Sequence, residues 1–259
     1  MPDVVTGDRG GFRCDIRYEH GDEPALPAAE VRGLCRFARR KGEEWGTATC
    51  RFLGLDARRT VTLVLRQGTV LSFARGSEVV IGVRRGTVSA ALAHELVHAV
   101  AGPSPLQAYA EGLAVWADAE LRLAGPAWPF FGLRPDRWVR QFVEDGSFVP
   151  LSALLDGPAT PPSPDTGFSD AARVYLEAAS LVGFIVSRLG IDGFWPYFGS
   201  GRPLAAPGRA TAALERAWTD SIGGAVTPAE ARLRDAALAR MVNGRDGLPP
   251  RPAAAVVDR

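Results

Sequence analysis

"AHELVHAVAG", residues 93–102, sets two of the chain's three histidines four positions apart, with a glutamate directly after the first. On a helix, positions i and i+4 share a face, so His94 and His98 can turn both imidazoles toward one ion. Glu95 follows the first of them and can reach a water on such an ion. With so few histidines, accident produces this pattern in roughly two such chains per thousand. The competing reading is a pair of packed or solvated histidines. The flanking residues bear on the choice.

"TVSAALAHELVHAVAG" (87–102) is apolar on nearly every side, which predicts a buried central helix. Thr87 suits its N-cap, and Gly102-Pro103-Ser104-Pro105 stops it sharply. A catalytic zinc ion takes three protein ligands and leaves a position for water, so two histidines are one short. His20 lies far back in the chain. The next helical pattern, "PLQAYAEGLAVWADAELRLAG" (105–125), offers Glu111, with twelve residues between it and His98. That length allows a turn and about two helical turns back toward the ion. Ala108, Ala110, Leu113, Ala114 and Val115 surround Glu111 with apolar positions. A carboxylate among such neighbours needs a partner, and a metal is the obvious one. Gly112 is expected to let this helix approach the histidine helix closely. Asp118, two turns on, is either a second acid orienting a histidine ligand or an exposed helix acid.

Upstream, "GFRCDIRYEH" alternates like a strand, and "PAAEVRGLCRFARRKGEEW" has helical periodicity. "ATCRFLGL", "RTVTLVLRQ" and "SEVVIGVRR" read as three short strands. The last (77–85) suits a sheet edge that an extended peptide could join through main-chain hydrogen bonds, or a plain edge blunted by Arg84 and Arg85. Downstream, "GPATPPSPDTG" (157–167) is a Pro-rich loop, and "FSDAARVYLEAASLVGFIVSRLG" (168–190) a long amphipathic helix. Two more helical patterns follow, around 208–220 and 228–243, and 246–259 reads as a disordered tail. Trp128, Phe130, Phe131 and Trp138 fit core packing better than a pocket lining.

The whole chain, 259 residues with 46% hydrophobic and 23% charged content, suits a globular enzyme. Its net charge of +1 gives no reason to expect nucleic acid or an anionic membrane as partner. No leader pattern opens the sequence, and no uninterrupted apolar run is long enough for a membrane helix. Cys14, Cys35 and Cys50 lack metal-site spacing, and their odd number suits free thiols in a cytoplasmic protein.

"HELVH" followed by "EGLAVW" resembles the gluzincin metallopeptidases, in particular the peptidase MA-like family, which pairs a HExxH helix with an E-G-x-A helix. "VYLEAASLVGFIVSRLG" (174–190) is similar to a later family helix that carries a tyrosine, here Tyr175. "RAWTDSIGG" loosely echoes a further segment. The resemblance covers about residues 60–243. It implies a zincin-like α+β fold, 1–245, in which a small, mainly antiparallel N-terminal sheet lobe (1–86) and a helical C-terminal lobe (87–245) flank Zn²⁺ in a cleft. It also implies His94, His98 and Glu111 as ligands, Glu95 as general base and Tyr175 as oxyanion donor. A peptide or small amide is the implied substrate. The alternative function is a non-catalytic zinc scaffold or sensor, which would need the ligands but not Glu95.

Overall fold

The computed structural model describes residues 11–21, 24–68, 72–84, 86–123, 133–156, 168–204 and 209–233. The chain divides into two compact units, Met1–Val100 and Ala101–Arg259. The expected Pro-rich loop (157–167), the tail (246–259) and three of the four clustered aromatics, Trp128, Phe130 and Phe131, lie outside the described residues.

In the first unit, strand β1 (Arg13–Glu19) leads into helix α1 (Ala28–Phe52) and back into strand β2 (Thr60–Gln67). Strand β3 (Phe73–Arg75), strand β4 (Glu78–Arg84) and the two-residue β5 (Thr87–Val88) complete a five-stranded sheet, ordered β1-β2-β4-β3 with β5 also on β4. The sheet is mixed, which corrects the expectation of a mainly antiparallel one. β1 pairs parallel to β2, with Cys14 opposite Val61 and Ile16 opposite Leu63. β2 pairs parallel to β4, with Leu65 opposite Ile81. Only the short β3 and β5 run antiparallel to β4. For β1 and β2 the cause is α1, since a helix inserted between two strands returns the chain in the same direction. β2 and β4 run parallel because β3, antiparallel to β4 on its far side, makes the return between them.

Two other expectations change for related reasons. "ATCRF" is the last turn and a half of α1, because Trp45, Thr49, Cys50 and Leu53 continue the buried stripe begun by Leu34 and Ala38. The strand in 77–85 is interior, with β2 on one side and β3 and β5 on the other. Val79 to Val83 are buried without alternation, the mark of a strand covered on both faces. Helix α2 (Leu92–Ala101) is tied to this sheet. Ser89 N–H donates to the Gly82 carbonyl at 3.0 Å, and the Arg59 guanidinium donates to the Val100 carbonyl near the helix end. The histidine helix therefore belongs with the strands in the first unit, which ends at Val100.

The second unit is helical: α3 (Gln107–Leu121), α4 (Pro135–Asp145), the short α5 (Leu151–Leu155), α6 (Phe168–Ser200) and α7 (Arg209–Ser221). Residues 228–233 are also helical. α3 and α6 pack most extensively. At Gly112 an added Cβ would lie 2.5 Å from the Ala178 carbonyl oxygen and 2.9 Å from Val182, so glycine admits backbone-to-backbone contact there. Gly112 was expected to serve an approach to the histidine helix; its role here is against α6. Residues 172–200 of α6 are long and apolar enough to cross a membrane by composition alone, and half of the stretch's 18-residue apolar window is buried inside the protein. Trp138, at 1% exposure, and Trp218, at 0%, are core residues; the Trp218 indole donates to Ser180 Oγ, and Ser180 donates to Asp136.

The segment between α4 and α5 is held by charged side chains. Arg173 donates to the Ser147 carbonyl, Glu177 accepts from Val149 N–H at 3.1 Å, and Glu215 accepts from Leu151 N–H at 2.6 Å. Glu177 is wholly buried. Desolvation pushes its carboxyl up to about 8, with nearby Glu215 adding to the rise and Val149 N–H and Arg173 opposing it. The folded-state value is above the unfolded one, so Glu177 contributes stability that is complete below ~4.5 and lost as pH rises through about 8. Glu177→Gln keeps an acceptor for Val149 N–H and removes the charge. We expect the variant to lose the wild-type decline between pH 5 and pH 9, by roughly a few kcal/mol. Denaturant titrations of both proteins across that range check it; parallel curves would contradict it.

Candidate metal centre

α2 buries Leu92, Ala93, Glu95, Leu96, Val97 and Val100, leaving His94 and His98 on its half-exposed side. The i, i+4 spacing brings their Nε2 atoms 3.1 Å apart, with the rings edge to face at 77°. Two nitrogens on a tetrahedral zinc, each at a normal bond length, are separated by about 3.3 Å. The pair is therefore spaced as ligands of a single ion would be. Glu111, half-buried on α3, supplies the third donor: one atom from each of His94, His98 and Glu111 lies within 4.8 Å of the others. This group could hold a metal ion. Two neutral nitrogens and one carboxylate oxygen form the mixed donor set that suits zinc.

The third histidine, His20, is elsewhere: its ring stacks edge-on against Tyr18 at 5.2 Å, and it is no member of the group. Glu95, which follows His94 in sequence, is only 7% exposed. Asp118 is 1% exposed, which removes the exposed-acid reading for it. Tyr175 lies half-buried on α6, one turn before Ala178 and two before Val182, the residues against which Gly112 packs. The i, i+3, i+7 relation puts Tyr175 on the stripe of α6 that faces α3. All three cysteines are free; burial pushes the Cys14 thiol up to about 12.

Two buried residues of the second unit carried little signal in the sequence. Glu177 looked like part of an amphipathic helix, although a lone acid in "YLEAASLV" is itself a signal of burial. Tyr109, 1% exposed and two positions before Glu111, carried no motif at all. No protein-family model matches the chain, and neither the curated proteins nor the solved structures contain a significant match to it.

Purified protein should bind one zinc per chain, and His94→Ala or Glu111→Gln should weaken or abolish that binding. Metal analysis after dialysis against a low zinc concentration measures it. A His94→Ala protein holding a full equivalent would overturn the ligand assignment.

Proposed function

We propose that this chain is a zinc-dependent hydrolase of peptide or amide bonds, a metallopeptidase of the gluzincin type. The observation carrying the reading is the convergence of His94, His98 and Glu111 on one point. The buried Glu95 on the same helix supports it further, because a scaffold needs ligands and has no use for that acid. When bound, Zn²⁺ supplies Lewis-acid polarisation and lowers the pKa of a water toward ~7.

The residues of the chain do the rest. His94 and His98 bind as neutral donors, and Glu111 brings the only negative charge of the three. The loaded group thus stays net positive where an oxyanion develops. Glu95 takes the proton of the attacking water and delivers it to the leaving nitrogen. Tyr175, on the stripe of α6 facing the Glu111 helix, donates a hydrogen bond to the oxyanion. An amide is the bond that needs both services, since its nitrogen leaves only once protonated.

Glu95→Gln should keep stoichiometric zinc and an unchanged fold while losing ~10²–10⁴-fold of the hydrolytic rate. A quenched peptide library followed by mass spectrometry provides the assay, and activity within a few-fold of wild type would remove Glu95 from the mechanism. Tyr175→Phe should lower kcat and kcat/KM together, by ~10²-fold, because its contact exists only in the transition state. A change confined to KM would instead make Tyr175 a binding residue.

A further inference from the structure

Helix α3 begins without a side-chain cap on its first turn. Leu106 at its N-cap position makes no side-chain capping bond, and the first turn contains no acidic residue. An uncapped first turn frays easily, yet Glu111 sits just beyond it. A metal ligand must be held within a few tenths of an ångström of its working position.

The missing support comes from the far end of α6. Gly190, at φ 71° and ψ 166°, adopts a conformation that is essentially restricted to glycine, and it breaks the helix. The chain beyond it turns back onto residues 104–109. Ser104 Oγ donates to the Phe198 carbonyl at 2.7 Å and accepts from Leu106 N–H at 3.3 Å. Tyr109 stacks edge-on against Phe194 at 5.5 Å. Its hydroxyl donates to the Arg202 carbonyl at 3.4 Å and accepts from Leu204 N–H at 3.2 Å. A Cβ at Gly201 would lie 2.6 Å from Pro105, so that turn is seated directly on the residues entering α3.

We infer that residues 191–204 form a clamp that positions Glu111 for metal binding, with Ser104 and Tyr109 as its positioning residues. The inference rests on the metal reading of the preceding subsection. The clamp holds the turn leading out of α2 and the first turn of α3 from outside, through side chains that are not members of the His94, His98 and Glu111 group. The ligand set is then completed by a segment some ninety residues away in sequence.

Three variants of the full chain test this. Tyr109→Phe removes both hydroxyl bonds and keeps the ring, Ser104→Ala removes its pair, and Ser104→Thr retains a hydroxyl. Amide exchange without metal should speed up across residues 107–111 in Tyr109→Phe and Ser104→Ala, but not in Ser104→Thr. The first two should also bind zinc ~10-fold more weakly, the low end for loss of a supporting partner. The d–d absorption of their cobalt forms should shift toward that of Glu111→Gln. Val139→Ala, a buried truncation in α4, is the control for general destabilisation and should leave zinc affinity unchanged. Unchanged exchange at 107–111 would overturn the clamp. Faster exchange with wild-type zinc affinity and cobalt spectrum, or an equal loss of affinity in Val139→Ala, would overturn its positioning role. Failure of the metal reading looks different: the wild-type chain itself would take up no zinc, while the exchange comparison, which needs no metal, would still report on the clamp.

Discussion

At Gly112 the backbones of α3 and α6 touch, with room for a hydrogen and none for a methyl group. Much of the second unit follows from that contact. It sets the seam along which Trp116 lies against Gly183 and Val182 fits beside α3. It also puts Glu111, the preceding residue, next to the line of closest approach. Any side chain at position 112 would push the helices apart beside Glu111. Small residues at helix crossings serve packing density, and Gly112 does so here.

The buried and half-buried acids of the second unit show how environment divides one residue type into different roles. Glu177, sealed from water, has its carboxyl pushed up to about 8 by desolvation. Glu230 is held down to about 2, chiefly by its hydrogen bonds from Arg137. Arg137 also donates to the carbonyls of Gly223 and Ala225, so one guanidinium gathers the chain after α7. Glu111 differs from both, with two imidazole nitrogens gathered near its carboxylate. An acid facing two neutral donors is placed to complete a cation's coordination.

Local periodicity made much of this legible beforehand. The i, i+4 histidine pair follows from helical geometry alone, and the structure gives it 3.1 Å between donor nitrogens. Glu111 was legible through the apolar residues around it. The long helix from 168 was legible too, although not its continuation to Ser200 past a break at Gly190. Strand direction was less visible. β-branched runs identify strands but do not say which neighbour each will take: the βαβ crossover made β1 and β2 parallel, and the return through β3 did the same for β2 and β4. The end of α1 was misread because Thr49 and Cys50 have weak preferences, and the buried stripe overrode them.

The sequence by itself determined the i, i+4 histidine pair and the acid beside it, and it singled out Glu111 among apolar neighbours, because each depends on spacing within one helix or on immediate neighbours. Tertiary structure alone decided that β4 lies inside the sheet, that Gly112 meets Ala178, and that residues 191–204 return to Ser104 and Tyr109. These are long-range contacts between segments whose local patterns do not encode their partners. A hydroxyl such as that of Tyr109 looks the same in sequence whether it faces water or a carbonyl ninety-three residues away. Only the folded chain, in which most buried polar groups must find partners, distinguishes the two.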